Sequence, residues 1–284
     1  MGRLMSARLA NAGYALNTHD RNGSGTHQTV RSAAEGTDIL ITMLPDGKVV
    51  GRVVRAALPV LRRGSLVIDM SSSDPADTRA LGADLRRRGV SLIDAPVSGA
   101  KAKAKDGTLA IMAGGDTAAL KRARPVLSKL GTQIFLTGKL GSGHATKALN
   151  NYLGAAGTIA GFEALLVGRK FGLDPRVLVD VINASTGKNS TTERKIPQQI
   201  FTGAFTSGFQ LALMAKDVGI ANAMARKAGV ETPYLRKTLK IWRDGQRKLR
   251  AGADHTELYK YLASLARPGA SSRTPRRSRR RNHA

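Results

Sequence analysis

Near the start of the chain, Gly2 is followed after 18 residues by the pair Asp20-Arg21. A glycine turn that admits a phosphate close to backbone is typically followed, roughly 20 residues on, by the side chain that reads the neighbouring ribose. Asp20 would accept a hydrogen bond from a ribose 2′-hydroxyl and repel a 2′-phosphate, whereas Arg21 would attract that phosphate. Three further groups end apolar runs: Leu44-Pro45, Ser71-Ser72-Ser73 and Pro96-Val97-Ser98-Gly99. Ligands of open α/β sheets sit beyond the carboxyl ends of the strands, so these are candidate contacts. Thiolate, disulfide and iron–sulfur chemistry are excluded by the absence of cysteine. The five histidines, His19, His27, His144, His255 and His283, form no i, i+4 pair, and no metal site is expected.

Strands must end, and helices begin, at these groups. Asp38-Ile-Leu-Ile-Thr-Met-Leu44 is a near-continuous apolar run stopped by Pro45, and residues 65–69 and 90–94 repeat the form. Such runs suit strands buried on both faces. Ahead of them, Met1, Met5, Leu9 and Ala12 recur at helical spacing up to Gly13, and residues 14–18 read as a short strand. Residues 49–61 and 74–88 are helical stretches, the second opened by Asp74-Pro75 and closed by Gly89. Strands alternating with helices predict a parallel, doubly wound α/β sheet, extended by strands at 108–112 and 133–136 around a helix at 117–130.

After Gly138 the pattern turns all-helical, over residues 145–171, 176–182, 210–227 and 234–249. The chain therefore divides into an α/β domain at 1–138 and an all-α domain at 139–266. Residues 267–284 carry seven arginines and no acid, and read as a disordered tail.

With 284 residues, 42 % of them hydrophobic, the chain can build one large core or two ordinary ones. No stretch of 18 apolar residues is present, so no membrane span is expected, and residues 1–19 read as a helix face rather than a targeting segment. Together with the missing cysteines, this predicts a cytoplasmic protein. The net charge of +26 raises a rival class, binding to nucleic acid or another polyanion. Aromatic residues make up only 4 % of the chain and do not interleave with the basic ones, which disfavours base stacking. Weak, salt-sensitive nucleic-acid contact by the tail is expected as a side property.

Three longer segments carry a resemblance. Asp94-Ala-Pro-Val-Ser-Gly-Ala-Lys-Ala-Lys-Ala-Lys-Asp-Gly-Thr-Leu109, Gly141-Ser-Gly-His-Ala-Thr-Lys-Ala-Leu-Asn-Asn151 and Phe209-Gln-Leu-Ala-Leu-Met-Ala-Lys-Asp217 are similar to segments of the β-hydroxyacid dehydrogenases, the family of 3-hydroxyisobutyrate and 6-phosphogluconate dehydrogenases. The resemblance covers about residues 1–265. It implies a Rossmann-like sheet followed by a helical domain for substrate and dimer contacts. The implied chemistry is hydride transfer between NAD(P) and a small 3-hydroxy acid, of the 3-hydroxyisobutyrate or 2-hydroxymethyl (glycerate) type. By the same resemblance, Lys147 is the general acid and base and Asn151 its partner one turn along the helix. Ser98 and Gly99 hold the substrate carboxylate, while Gly2, Asp20, Arg21, Leu44, Pro45, Ser72 and Lys216 contact the cofactor. Relatives that reduce imines usually replace the catalytic lysine, so Lys147 points to hydroxy acids. A homodimer or homotetramer is implied.

Two departures matter. The triplet Asp20-Arg21-Asn22 is nearest to the family's Asn-Arg type, which implies NADP, with NAD as the alternative. Relatives also open with an apolar strand and a G-x-G-x-M-G turn, of which only Met1-Gly2 is present. Loss of a central strand would remove on the order of 10 kcal/mol of apolar burial, so the expectation is a start set at an internal methionine. The alternative is a catalytically impaired paralogue. Ala100 also stands where relatives commonly have glycine.

Overall fold

The computed structural model describes residues 1–266, and the arginine-rich tail lies outside them. The first half runs α1 (Gly2–Asn11), α2 (Val30–Ala34), β1 (Ile39–Thr42), α3 (Gly47–Ala57), β2 (Leu66–Asp69), α4 (Pro75–Arg87), β3 (Ser91–Asp94), β4 (Val97–Ser98), α5 (Ala100–Asp106), β5 (Ala110–Gly114), α6 (Thr117–Leu130) and β6 (Gln133–Gly138). The turns that follow the strands are built as their sequence dictates. Asp46, Asp74 and Asp116 each precede a helix and accept an amide of its first turn, which satisfies donors a bare helix end leaves open. Apolar side chains from α1, α6 and the strands fill one core, and those of α3, α4, β2 and β3 another.

β1, β2 and β3 pair in parallel, and their last residues Thr42, Asp69 and Asp94 lie side by side. The expectation of a wholly parallel sheet is corrected beyond β3. β5 runs antiparallel to β3 and β4, and parallel to β6. The link from β3 passes through β4 and α5 and enters β5 from the opposite end, so no full crossover restores the strand direction.

A second correction concerns residues 14–18, which are extended but not a strand. The amide of Thr18 donates to Thr26 Oγ1, and its carbonyl accepts the His27 amide, so its ladder groups are spent on a neighbouring loop. Among the described residues no strand pairs with the outer edge of β1. Ile39, Leu40 and Ile41 are accordingly only half-buried, not covered on both faces as the apolar run suggests.

The second half is helical, with α7 (Ser142–Phe171), α8 (Pro175–Ala184), a π-helix (Thr191–Ile200), α9 (Leu211–Lys227), α10 (Pro233–Lys248), a 3₁₀ turn (His255–Glu257) and α11 (Leu258–Leu265). The short elements, including the π-helix, were not legible in the periodicity. Trp242 and Phe162 are fully buried at the centre, and the Trp242 indole donates to the Ala155 carbonyl at 3.3 Å.

Beside Trp242 lies a polar clamp. The Ser207 hydroxyl donates to Asp254 at 2.8 and 2.9 Å and lies 2.9 Å from His255 Nδ1, while Asp254 caps the 3₁₀ turn. These are the residue types of a nucleophilic triad. The serine proton, however, faces the carboxylate rather than an imidazole base, and the group ties the loop before α9 to the 3₁₀ turn. Burial, reinforced by the charge of Lys195, pushes the His255 pKa down to about 4. Lys195 is itself pushed down to about 8 by burial, with its amine on the Thr158 and Thr191 hydroxyls.

A histidine with a depressed folded-state pKa binds its proton more readily in the unfolded chain, so its share of stability is complete above 6.5 and is lost as pH falls toward 4. Compared with His255→Asn, which keeps a polar group near the Nδ1 position, the wild type is expected to lose up to about 3 kcal/mol more stability over that window. Urea unfolding of both proteins at several pH values checks this; parallel pH profiles would refute it.

Candidate functional site

The long helix α7 drives its first turn into the carboxyl ends of β3 and β5. A Cβ on Gly143 would lie 2.1 Å from the Met112 carbonyl oxygen, and one on Gly114 would lie 2.5 Å from Ser142 Oγ. Only glycine allows this approach. Gly141, which precedes the helix at φ 91°, has no side chain to cap it. Asp94, at the end of β3, accepts the Gly141 and His144 amides, each at 2.7 Å. His144 is fully buried between two carboxylates, with Nε2 3.6 Å from Asp69 and Nδ1 3.8 Å from Asp94. Its ring nitrogens also meet the Ser71 carbonyl at 3.1 Å and the Thr78 hydroxyl at 2.9 Å.

One turn beyond His144, Lys147 is buried, and Asn151 lies one further turn along the same face. Burial holds the Lys147 amine below the ordinary lysine range; Asp217 opposes that shift and Lys216 adds to it. Asp217 is itself buried on α9 and accepts the Asn151 side-chain amide at 2.5 Å. The Asn151 carbonyl oxygen accepts from Asn150 at 3.1 Å, so both ends of this amide are held within the protein.

Lys216, next to Asp217, reaches across to the sheet. Its amine donates to the Pro45 carbonyl at 2.9 Å and the Ser72 carbonyl at 2.6 Å, and lies 3.2 Å from Asp217 Oδ1. Leu44 joins the same cluster through its amide, which donates to Ser71 Oγ at 2.9 Å. The structure thus brings Lys147 and Asn151 together through Asp217, and Lys216 together with Pro45, Ser72 and, through Ser71, Leu44. The adjoining cleft, about 620 Å³, is lined by Lys48, Asp74, Lys216 and Arg243 among others.

The remaining expected residues lie on other elements of the first half. Ser98 ends β4, and Gly99 follows at φ 138°. Ala100 then adopts φ 56°, a left-handed conformation that costs a non-glycine residue roughly 1–2 kcal/mol. Gly2 opens α1, whose first residue has no side-chain cap and whose first turn carries no acid. A Cβ there would meet only the Met43 side chain, at 3.8 Å, so the open amides and free space at this helix end could take a phosphate. Asp20 and Arg21 stand in an exposed turn, where the Asp20 carboxylate accepts the Asn22 amide at 2.8 Å.

Sequence reasoning missed Asp217, His144 and Asp94. Asp217 is adjacent to Lys216, but neighbours on a helix point about 100° apart, so adjacency does not say that both reach the same site. Among the described residues, no cluster of His, Asp and Glu suits a metal ion, and no helix is long and apolar enough to cross a membrane.

Two family profiles match the chain. The NAD-binding domain of 6-phosphogluconate dehydrogenase matches residues 1–138, and the NAD-binding profile of NADP-dependent 3-hydroxyisobutyrate dehydrogenase matches residues 141–262. A probable 3-hydroxyisobutyrate dehydrogenase from Mycobacterium tuberculosis is 35 % identical over 274 residues, covering 91 % of each chain. An NAD-dependent L-serine dehydrogenase from Pseudomonas aeruginosa is 34 % identical over 262 residues, covering 86 % of this chain and 88 % of its own. The solved structure of the M. tuberculosis 3-hydroxyisobutyrate dehydrogenase with L-serine superposes with a TM-score of 0.85 at 33 % identity, covering 92 % of this chain and 95 % of that one.

Proposed function

The chain belongs to the β-hydroxyacid dehydrogenase family, and on that footing we propose that it moves a hydride between NAD(P) and a small 3-hydroxy acid, with Lys147 as the proton-transfer group. When bound, the nicotinamide supplies or accepts the hydride. The protein's own task is to take the hydroxyl proton as the carbinol is oxidised and to return it in reduction. A lysine amine does this only if it reaches the neutral form near working pH. The observation that carries the reading is the buried Lys147 amine, whose charged form burial disfavours and Asp217 only partly restores.

Asn151 supports this arrangement through Asp217 rather than by a free side chain, because its amide donates to the carboxylate that faces the lysine. The substrate carboxylate goes to Ser98 and the backbone at Gly99, and 3-hydroxyisobutyrate is the first substrate to test. Lys216 braces the Pro45 and Ser72 carbonyls, which border the cofactor in this reading.

On this reading Arg21 favours NADP over NAD as the cofactor. The Asp20 carboxylate is engaged by the Asn22 amide, while the Arg21 guanidinium stands exposed for a 2′-phosphate. α7 also carries an exposed apolar stripe, with Leu149, Leu153, Val167 and Phe171, continued on α8 by Val177 and Val181. A second copy of the chain covering this stripe accounts for its exposure, giving a homodimer or a tetramer built from such dimers.

Lys147→Ala is expected to lower kcat by about 10²–10⁴-fold and leave NADPH affinity, read by fluorescence titration, nearly unchanged; full turnover would refute the assignment. Steady-state KM values should favour NADP over NAD, and a tenfold preference for NAD would overturn the role given to Arg21. In light scattering the chain should run at a multiple of 30.1 kDa, with Leu153→Glu shifting it toward the monomer. A monomeric wild type would dismiss the second copy.

A further inference from the structure

We propose that Asp94 is a positioning residue for Lys147, acting as an external cap that fixes the height and rotation of α7 against the sheet. The inference rests on Lys147 being the proton-transfer residue.

Helix α7 opens without a capping side chain of its own, because Gly141 has none. The first amides of a helix have no partner within it, and buried amides left unpaired are costly. Asp94 supplies the partners from another element. One carboxylate oxygen accepts the Gly141 amide and the other accepts the His144 amide, three residues further on. Two bonds to amides separated by most of a helical turn constrain both translation along the axis and rotation about it. A single bond would leave the rotation free.

The surroundings leave little slack. Asp94 is fully buried, and a Cβ on Gly114 would lie 2.8 Å from its Oδ1. A Cβ on Gly143 would strike the Met112 carbonyl and crowd the Asp94 backbone and carboxylate. A carboxylate hidden from water is an expensive way to fill space, and burial does push the Asp94 pKa up. The His144 ring, the two amides and the positive end of a 30-residue helix offset part of that cost here.

The anchored turn is also the one that bears on the chemistry. His144, whose amide Asp94 holds, grips the Ser71 carbonyl and the Thr78 hydroxyl, and Lys147 follows it by three residues. Ser71 precedes Ser72, whose carbonyl receives Lys216. Asp94 therefore holds the lysine from the sheet side, while Asp217 faces it from the helical side. A displacement of the helix by about 1 Å would move the amine out of line with a bound hydroxyl, and misplacement on that scale costs roughly 10²-fold in rate.

The test uses the full chain with Asp94→Ala, Asp94→Asn and Lys147→Ala, assayed with 3-hydroxyisobutyrate and NADP or NAD, whichever the wild type prefers. Hydrogen exchange of peptides spanning residues 141–151 should speed up in Asp94→Ala. In the same variant kcat should fall about 10²-fold, with KM and NADPH affinity nearly unchanged, since an interaction lost only in the transition state lowers kcat and not binding. Asp94→Asn keeps one acceptor and should recover part of kcat, and it carries both measurements if the alanine variant does not fold.

Locally faster exchange with unchanged kcat would make Asp94 a plain structural cap and overturn the proposal, as would unchanged exchange. Turnover by Lys147→Ala would overturn the catalytic lysine together with its positioning. An inactive Lys147→Ala beside a fully active Asp94→Ala would overturn the positioning alone.

Discussion

Everything at the site depends on inserting the uncapped end of a long helix into the carboxyl edge of a sheet. Parallel pairing in register places Asp69 and Asp94 at adjacent strand ends, so two buried carboxylates face the same space. Left alone they would repel strongly in a poorly screened interior. The α7 amides and the His144 ring occupy that space, with the imidazole 3.6 Å from one carboxylate and 3.8 Å from the other. Asp69 meets the rest of its demand locally, from the Thr42 and Ser73 hydroxyls and the Ser71 amide. The charges that would split the sheet thereby become the fastening between its two halves. The glycines at 114 and 143 permit it, because any side chain there would collide with backbone or with the carboxylate.

A second balance operates one turn deeper. Lys147 sits where burial and the neighbouring Lys216 charge disfavour its ammonium form and Asp217 favours it, and burial is the largest of the three. Asp217 cannot act as a simple counter-ion, since it also takes the Asn151 amide and lies against Lys216. Lys216 in turn is committed to two backbone carbonyls on the sheet side. The same few groups therefore tune the lysine and tie α9 to the ends of β1 and β2. A change that loosens the contact between the halves alters the electrostatics of the amine as well.

How much of this could be read beforehand differs by level. Apolar runs and their stops located β1, β2, β3, β5 and β6 and the helices α3, α4 and α6, because burial on both faces demands such runs and a helix start demands a cap. They did not reveal that β5 runs against β3, since a run of apolar residues carries no direction. Nor did they show that residues 14–18 lack a strand partner: extended sequence becomes strand only where another strand runs beside it, and among the described residues none does. The π-helix at Thr191–Ile200 and the short helix α5 escaped for a related reason, being too brief or too irregular to leave a period.

At the site the division is sharper. Three motifs, read in one dimension, marked Lys147, Asn151, Ser98, Gly99 and Lys216 as candidates through their resemblance to a known family, because a motif within one element survives as a pattern in the chain. Asp217 and Asp94 were silent in that reading. Each is one acid among 20, and each matters through a residue 47 to 66 positions away. The local sequence therefore determined the fold family, through apolar patterning and motifs that resemble a known family, and marked Lys147 as the candidate amine. Only the tertiary structure decided what surrounds that amine, because desolvation, counter-charge and helix anchoring arise from contacts between elements and have no counterpart along the chain.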